Sequence, residues 1–350
     1  MAVLDKTTAG LKGVALRGRL FEICRPFPLM GHIAFGIIDR GYNILQVRVS
    51  SLCPLSCPFC SVDAGPITRR RRDFILTDPE WLAEWLKRAC RYKGRVHVLF
   101  DAAGEPLTNP LLPDFVSEVK GTGLALRIAV ETRLYPTDRE MLLRLVESGV
   151  NRFNISIDTL NPEKARWLSG SNAYNLDNVL DLTLFLNKEL GVNVHITPLW
   201  IPGVNDGDIE EIIRWVQSVG IGGKVPPLGI QKYVEHRHGR KIPGVKEWSW
   251  SLFYRRLREL EEKYNIRLVL RPEDYGLEVA PRALCPYRRG STVKLYVIGE
   301  AWLPNEYLAV TTGYDRAVTL ISKSVSLSTG DIITARITSD RDGILLARPV

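Results

Sequence analysis

Residues 43–66 read NILQVRVS followed by SLCPLSCPFCSVDAGP, a β-branched run that passes straight into a loop carrying Cys53, Cys57 and Cys60. The run has the apolar content of a strand, and the Pro and Ser that follow end it. Outward from this point the same alternation continues. Strand candidates at 95–101, 124–131, 151–157, 192–200, 227–233 and 267–271 are separated by amphipathic stretches at 79–92, 137–148, 174–190, 206–219 and 248–264, several entered through Asp, Thr or Asn. Short strands alternating with helices predict repeated βα units, an α/β chain forming a partial TIM-type barrel of six to seven units over 45–286. The strands' apolar character suits burial on both faces. In such a barrel the chemistry sits on loops at the C-terminal strand ends, where the three cysteines fall.

The flanks break the pattern. Residues 14–24 (VALRGRLFEIC) and 31–39 (GHIAFGIID) read as an N-terminal β-extension covering 1–44. Over 287–350, strand candidates at 291–298, 307–311, 316–321, 331–338 and 343–348 predict a small all-β barrel of the OB type. A chain of 350 residues suits one large domain plus something small. No signal peptide is evident and no stretch approaches the roughly 18 apolar residues of a membrane span, so a soluble cytoplasmic protein without a membrane partner is expected.

Six cysteines are few for this length, and three lie within eight residues, which suggests a metal or cluster site rather than a disulfide framework. The spacing Cys-x3-Cys-x2-Cys can hold three irons of a cubane and leave the fourth without a protein ligand, as a chelating substrate needs. Structural zinc is the alternative, but it prefers a closed tetrahedral shell and no second knuckle follows.

The motif resembles that of the radical S-adenosylmethionine (SAM) superfamily, and the likeness in organisation spans roughly 45–272. It implies a [4Fe–4S] cluster on Cys53, Cys57 and Cys60 whose open iron binds the amino and carboxylate groups of SAM. It further implies reductive cleavage of SAM to a 5′-deoxyadenosyl radical and a reductant protein such as ferredoxin or flavodoxin. Asp101–Pro106 (DAAGEP) resembles the family's Gly-Gly-Glu-type motif, with Ala103 in the first glycine position followed by Gly104, Glu105 and Pro106. Phe59 matches an aromatic placed near the adenine, with loop packing as the plainer reading. Ser156 and Asp158 are placed to contact ribose hydroxyls or the methionine carboxylate. The segment 198–206 (PLWIPGVND), with Pro202, resembles the adenine-binding segment, and Thr132, Gln231 and Tyr233 complete a polar ring that could equally satisfy buried backbone.

The C-terminal segment resembles a TRAM domain, the RNA-binding barrel that follows the radical domain in tRNA methylthiotransferases. Lys294, Arg316, Lys323, Arg336, Arg341 and Arg348 give it basic positions, and Tyr296, Trp302, Tyr307 and Tyr314 offer stacking faces or simply core. With the net charge of +8 and the run Arg69–Arg72, this points to RNA, tRNA above all, as substrate. On this view, removing 287–350 abolishes RNA binding and leaves cofactor cleavage intact. Two other readings stay open: a radical enzyme acting on a protein, lipid or small metabolite, and a non-catalytic zinc- and RNA-binding module. Only Cys24 precedes the motif, which disfavours sulfur insertion, and Cys90 and Cys285 are the downstream candidates for a further catalytic thiol. GIIDRGYN, CSVDAGP and LWIPGVND also resemble an uncharacterised archaeal lineage of predicted iron–sulfur oxidoreductases, and the scarcity of Met and Gln fits a thermophile.

Overall fold

The computed structural model describes residues 12–323 and 326–350, so residues 1–11 of the expected extension lie outside the described residues. The chain opens with a hairpin of β1 (Val14–Arg17) and β2 (Leu20–Ile23), followed by β3 (Gly36–Asp39) and β4 (Ile44–Arg48). After the cysteine loop come β5 (Asp73–Leu76), α1 (Pro79–Cys90), β6 (Val96–Asp101), α2 (Leu112–Gly121), β7 (Ala125–Thr132), α3 (Arg139–Ser148) and β8 (Arg152–Ile155). Then follow α4 (Pro162–Ser169), α5 (Leu176–Leu184), β9 (Asn193–Ile196), β10 (Leu199–Trp200), α6 (Asp206–Val219), β11 (Gln231–Lys232) and α7 (Trp250–Tyr264).

The main sheet runs β3-β4-β6-β7-β8-β9, parallel throughout except for β3, which pairs antiparallel to β4. The segment 31–39 therefore supplies an edge strand to this sheet and is not a separate extension. Its partner β4 is close enough in sequence for a short connection, which an antiparallel pair allows and a parallel one does not. Helix starts are set by side chains: Asp78, Asp138, Asn161, Asn175 and Ser249 each accept from a backbone N–H of the first turn, an interaction typically worth about 1 kcal/mol.

Strand 267–271 does not form. The backbone N–H groups of Leu268 and Val269 donate to Glu261 Oε1 of α7 at 2.7 and 2.8 Å, so a side chain takes the bonds a neighbouring strand would have made. The parallel strands are not apolar on both faces either. Val47, Phe100, Val130, Phe153, Ile155 and Val194 join the hydrophobic core. The alternate positions Arg48, Asp101, Glu131, Arg152, Asn154 and His195 line cavities on the sheet's inner face.

The C-terminal strands β12 (Thr292–Glu300), β13 (Glu306–Thr311), β14 (Ala317–Ile321), β15 (Ile332–Ser339) and β16 (Leu346–Pro349) close a barrel in the order β12-β13-β14-β16-β15. The third and fifth strands run parallel, and this arrangement is a five-stranded barrel of the OB type. Its interior holds Leu295, Val297, Val318, Leu320 and Ala347, whereas Leu308, Val310 and Ala317 on β13 and β14 belong to the core of the large domain. At the seam the Ala317 N–H donates to Met30 O at 2.9 Å, and a Cβ on Gly31 would lie 2.0 Å from Ala317 O. Only glycine permits that approach. Among the described residues, no helix is long and apolar enough to cross a membrane.

Candidate active site

The loop after β4 is clamped from two sides. Arg240, beyond β11, donates from Nε to Cys57 O at 2.7 Å and from Nη2 to Ala64 O at 2.7 Å, and pairs with Asp63 at 2.8 Å. Arg70 donates from Nε to Val62 O at 2.6 Å and from Nη2 to Ala103 O at 2.8 Å, with its guanidinium 4.2 Å from the Trp302 ring centroid. From behind, the Ser56 N–H donates to Ser169 O at 2.9 Å. The cysteine loop thus rests on fixed partners as well as on its own short-range turns, in which the Cys60 N–H donates to Cys57 O at 3.1 Å.

Cys53, Cys57 and Cys60, all free thiols, line one cavity of about 390 Å³ together with Phe59, Gly104, Glu105, Thr132, Ser156, Asp158, Gln231 and Tyr233. Ala103 and Pro106 are buried behind this lining, and Pro202 lies half-buried in the turn after β10, away from it. Tyr233 packs with Leu168, Ile201 and Ile242 against Phe59, which makes one side of the cavity apolar. Cys90 is core within α1, and Cys285 packs against the small barrel with its thiol directed to Tyr287 O at 3.4 Å, so neither downstream cysteine faces the cavity.

Several polar side chains expected to face a ligand are held by the protein itself. Glu105 accepts from Thr132 Oγ1 at 2.6 Å and from the Arg133 N–H at 2.9 Å. Burial nevertheless pushes its carboxyl up to about 7. Asp158 pairs with Arg133 and accepts from the Leu199 N–H at 2.8 Å. Burial would lower Arg133, but Asp158 and then Cys57 reverse the shift and hold it cationic. Burial raises the Cys53 thiol to about 12 and raises Cys57 too, although Arg133 opposes the latter. Metal binding at this loop therefore displaces protons.

A Cβ at Gly104 would lie 2.2 Å from Leu52 O and 2.4 Å from Ser51 O, so glycine lets the Asp101–Pro106 turn close onto the cysteine loop. Among the described residues, no three Cys, His, Asp or Glu side chains gather as the ligands of a single ion do. A zinc site would need its thiolate sulfurs roughly 3.8 Å apart. A cubane takes each thiolate on a separate iron, and three thiols spread around one cavity fit that group.

The Radical SAM superfamily model matches residues 47–216, and an uncharacterized protein of Methanocaldococcus jannaschii, MJ0103, is 30% identical over 97% of this chain and 83% of its own length. The chain belongs to the radical SAM superfamily. It is a radical SAM enzyme whose cofactors are a [4Fe–4S] cluster and SAM. The GTP 3′,8-cyclase of Aquifex aeolicus is 27% identical over 61% of this chain and 62% of its own length. Streptococcus suis SuiB bound to its precursor peptide SuiA superimposes with a TM-score of 0.50 at 17% identity, over 66% of this chain and 48% of SuiB, which shows the fold alone. The chain thus spans less than two thirds of the cyclase and about half of SuiB. When bound, the two cofactors of a radical SAM enzyme supply reductive cleavage of a carbon–sulfur bond.

Sequence reasoning did not single out Arg240, and it misread Arg70. Arg69–Arg72 were expected to meet RNA, yet the Arg70 side chain is fully buried, and Arg71 and Arg72 pair with Glu300 of the small barrel. Of the run, only Arg69 is largely exposed. Nothing in four consecutive arginines signals that the second turns inward. The pairing partners, Trp302 and Glu300, lie some 230 residues downstream. Arg48, paired with Asp101 at 2.8 Å, and Glu131 also line the cavity and were not singled out.

Proposed function

We propose that Cys53, Cys57 and Cys60 hold the [4Fe–4S] cluster, that the Asp101–Pro106 turn receives the methionine end of SAM, and that the enzyme modifies RNA, tRNA above all. The observation that carries the cofactor reading is the single cavity shared by the three thiols, the Gly104–Glu105 turn and the apolar Phe59–Tyr233 side. In this reading Arg133 and Asp158 keep the walls fixed, and Arg70 and Arg240 hold the loop against distortion. A reductant protein such as ferredoxin or flavodoxin supplies the electron.

Support for RNA comes from the free face of the TRAM-like barrel. Arg336 on β15 and Arg348 on β16 stand directly opposite each other, exposed, with Lys294 exposed on the adjoining β12. Like charges in register destabilise a sheet unless an anion neutralises them. The barrel aromatics are less available: Trp302 is core, and Tyr296, Tyr307 and Tyr314 are half-buried. A second reading, a free purine nucleotide as substrate, is favoured by likeness to the GTP 3′,8-cyclase.

Binding of unfractionated tRNA, followed as salt is raised, tests the RNA reading. Phosphate contacts give a log–log slope of roughly −0.7 to −0.9 per contact, so the Lys294→Ala/Arg336→Ala/Arg348→Ala variant should flatten it by about 2. A slope near zero for the unmodified protein, or one the triple variant leaves unchanged, contradicts the reading.

A further inference from the structure

Beside the cysteine cavity lies a second chamber of about 480 Å³, and the two share Glu131, Thr197, Gln231 and Lys232 as common wall. One side of this chamber is polar. Arg152 and Asn154 are more than nine-tenths buried, and Arg152 Nε and Asn154 Oδ1 have no hydrogen-bond partner among the described residues. A buried donor and a buried acceptor left unmade each cost roughly 1–3 kcal/mol, so a structure that keeps both reserves them for a ligand. The lining also holds the apolar Phe253, Leu257 and Leu268, beside His195 and Tyr275, which hydrogen-bond to each other at 3.0 Å. A ligand that satisfies both kinds of lining is flat, with an apolar face and an edge that offers an acceptor beside a donor. That describes a nucleobase.

The rim of the chamber fits the same ligand. Trp250 and Tyr254 on α7 line it while remaining 56% and 38% exposed, and their rings stack with centroids 5.9 Å apart at an interplanar angle of 28°. Two stacked aromatic rings facing water form a platform on which a further ring can lie, and stacking of this kind tolerates any base. The Lys232 ammonium lies 5.1 Å from the Trp250 ring centroid. Arg258, exposed one helical turn beyond Tyr254, has no ion pair among the described residues. Aromatic faces with cations beside them, Lys232 held by Glu247 at 3.3 Å and Arg258 unpaired among the described residues, match the chemistry of a single-stranded nucleic-acid contact.

We infer that this chamber is a nucleobase-binding site: an unpaired base stacks on Trp250 and Tyr254 at the rim and enters with its hydrogen-bonding edge toward Arg152 and Asn154. The inference rests on the RNA reading and places the target base one wall away from the cysteine cavity. It also moves the base-reading contact from the small barrel, whose β13–β14 outer face is covered by the large domain, to α7.

The test uses protein reconstituted with iron and sulfide and two fluorescent probes, a short single-stranded oligoribonucleotide containing 2-aminopurine and the 2-aminopurine ribonucleoside alone. Both should be quenched on binding. Trp250→Ala and Tyr254→Ala should each weaken binding at least about tenfold, and Arg152→Gln should act in the same direction. Tyr92→Ala, which removes an aromatic ring equally exposed at 56% but in the turn after α1, should bind as the unmodified protein does. Thermal unfolding checks that each variant is folded. If the rim variants bind both probes as the unmodified protein does, the inference is overturned and the RNA reading survives. If the ribonucleoside binds with the expected losses and the oligoribonucleotide does not, the chamber stands and the RNA reading falls. If neither probe binds, both fall.

Discussion

Glu105 shows how a single residue can be read for both position and charge. Its burial against the Asp101–Pro106 turn raises its carboxyl to about 7, even with Thr132 and Arg133 donating to it. A carboxyl that binds its proton more tightly in the fold than in the unfolded chain makes stability fall as pH rises. Here the loss begins near the ordinary value of 4.5 and is complete above about 7. At 1.4 kcal/mol per unit the loss is on the order of 3 kcal/mol. Urea unfolding of the cofactor-free protein at a series of pH values should therefore show a downward slope that Glu105→Gln roughly halves, because burial also pushes the Glu131 carboxyl up to about 7. An unchanged slope in that variant would assign it elsewhere. His195, whose burial lowers it to about 4, contributes the opposite slope between that value and 6.5, which is why the comparison is between variants. At this scale the gathering of the cysteines, Gly104 and Glu105 at one cavity was legible, because spacing and turn chemistry are local. Arg240 was not, because its partners Cys57 and Asp63 are distant in sequence.

Elements were legible where a local signal marks them. Helices α1 and α3 begin at aspartates that cap them, and both were expected within a few residues of where they form. Helix α2, which Leu111 precedes without a side-chain cap, went unseen, and so did α4, which Asn161 caps but which is only 8 residues long. The expected strand at 267–271 had the right composition, but Glu261 took its backbone donors. The arginine run is the element with the sharpest consequence. Arg70 joins the cysteine loop to Trp302 of the small barrel through buried bonds to Val62 O and Ala103 O and through ring stacking. Arg70→Gln strands both carbonyls and should destabilise by about 2–4 kcal/mol. Trp302→Ala should cost about 3 kcal/mol or more. Because the two touch, the double variant should lose measurably less than the sum of the singles in denaturant unfolding. Strict additivity would mean that the contact carries no energy.

At the scale of the whole molecule, the α/β domain followed by an OB-type barrel could be read from the order of strand and helix signals, but the way the two are joined could not. Docking buries Ile298, Ala301, Trp302, Leu308, Val310 and Ala317 in the core of the large domain, and composition cannot show which face of a small barrel is covered. A chain ending at residue 286 therefore exposes that core and releases Arg70. It should fail to unfold cooperatively and fail to retain iron after reconstitution, contrary to the expectation that cofactor cleavage survives the truncation. A truncated chain that is stable and retains iron would show the docking to be incidental. The central claim is that the loop after β4 holds the cluster that cleaves SAM. The most direct test is anaerobic: protein reconstituted with iron and sulfide is reduced, SAM is added, and 5′-deoxyadenosine is quantified by mass spectrometry beside a Cys57→Ala control. The account predicts 5′-deoxyadenosine from the unmodified protein and none above background from the variant; equal yields from both, or none from either, would contradict it.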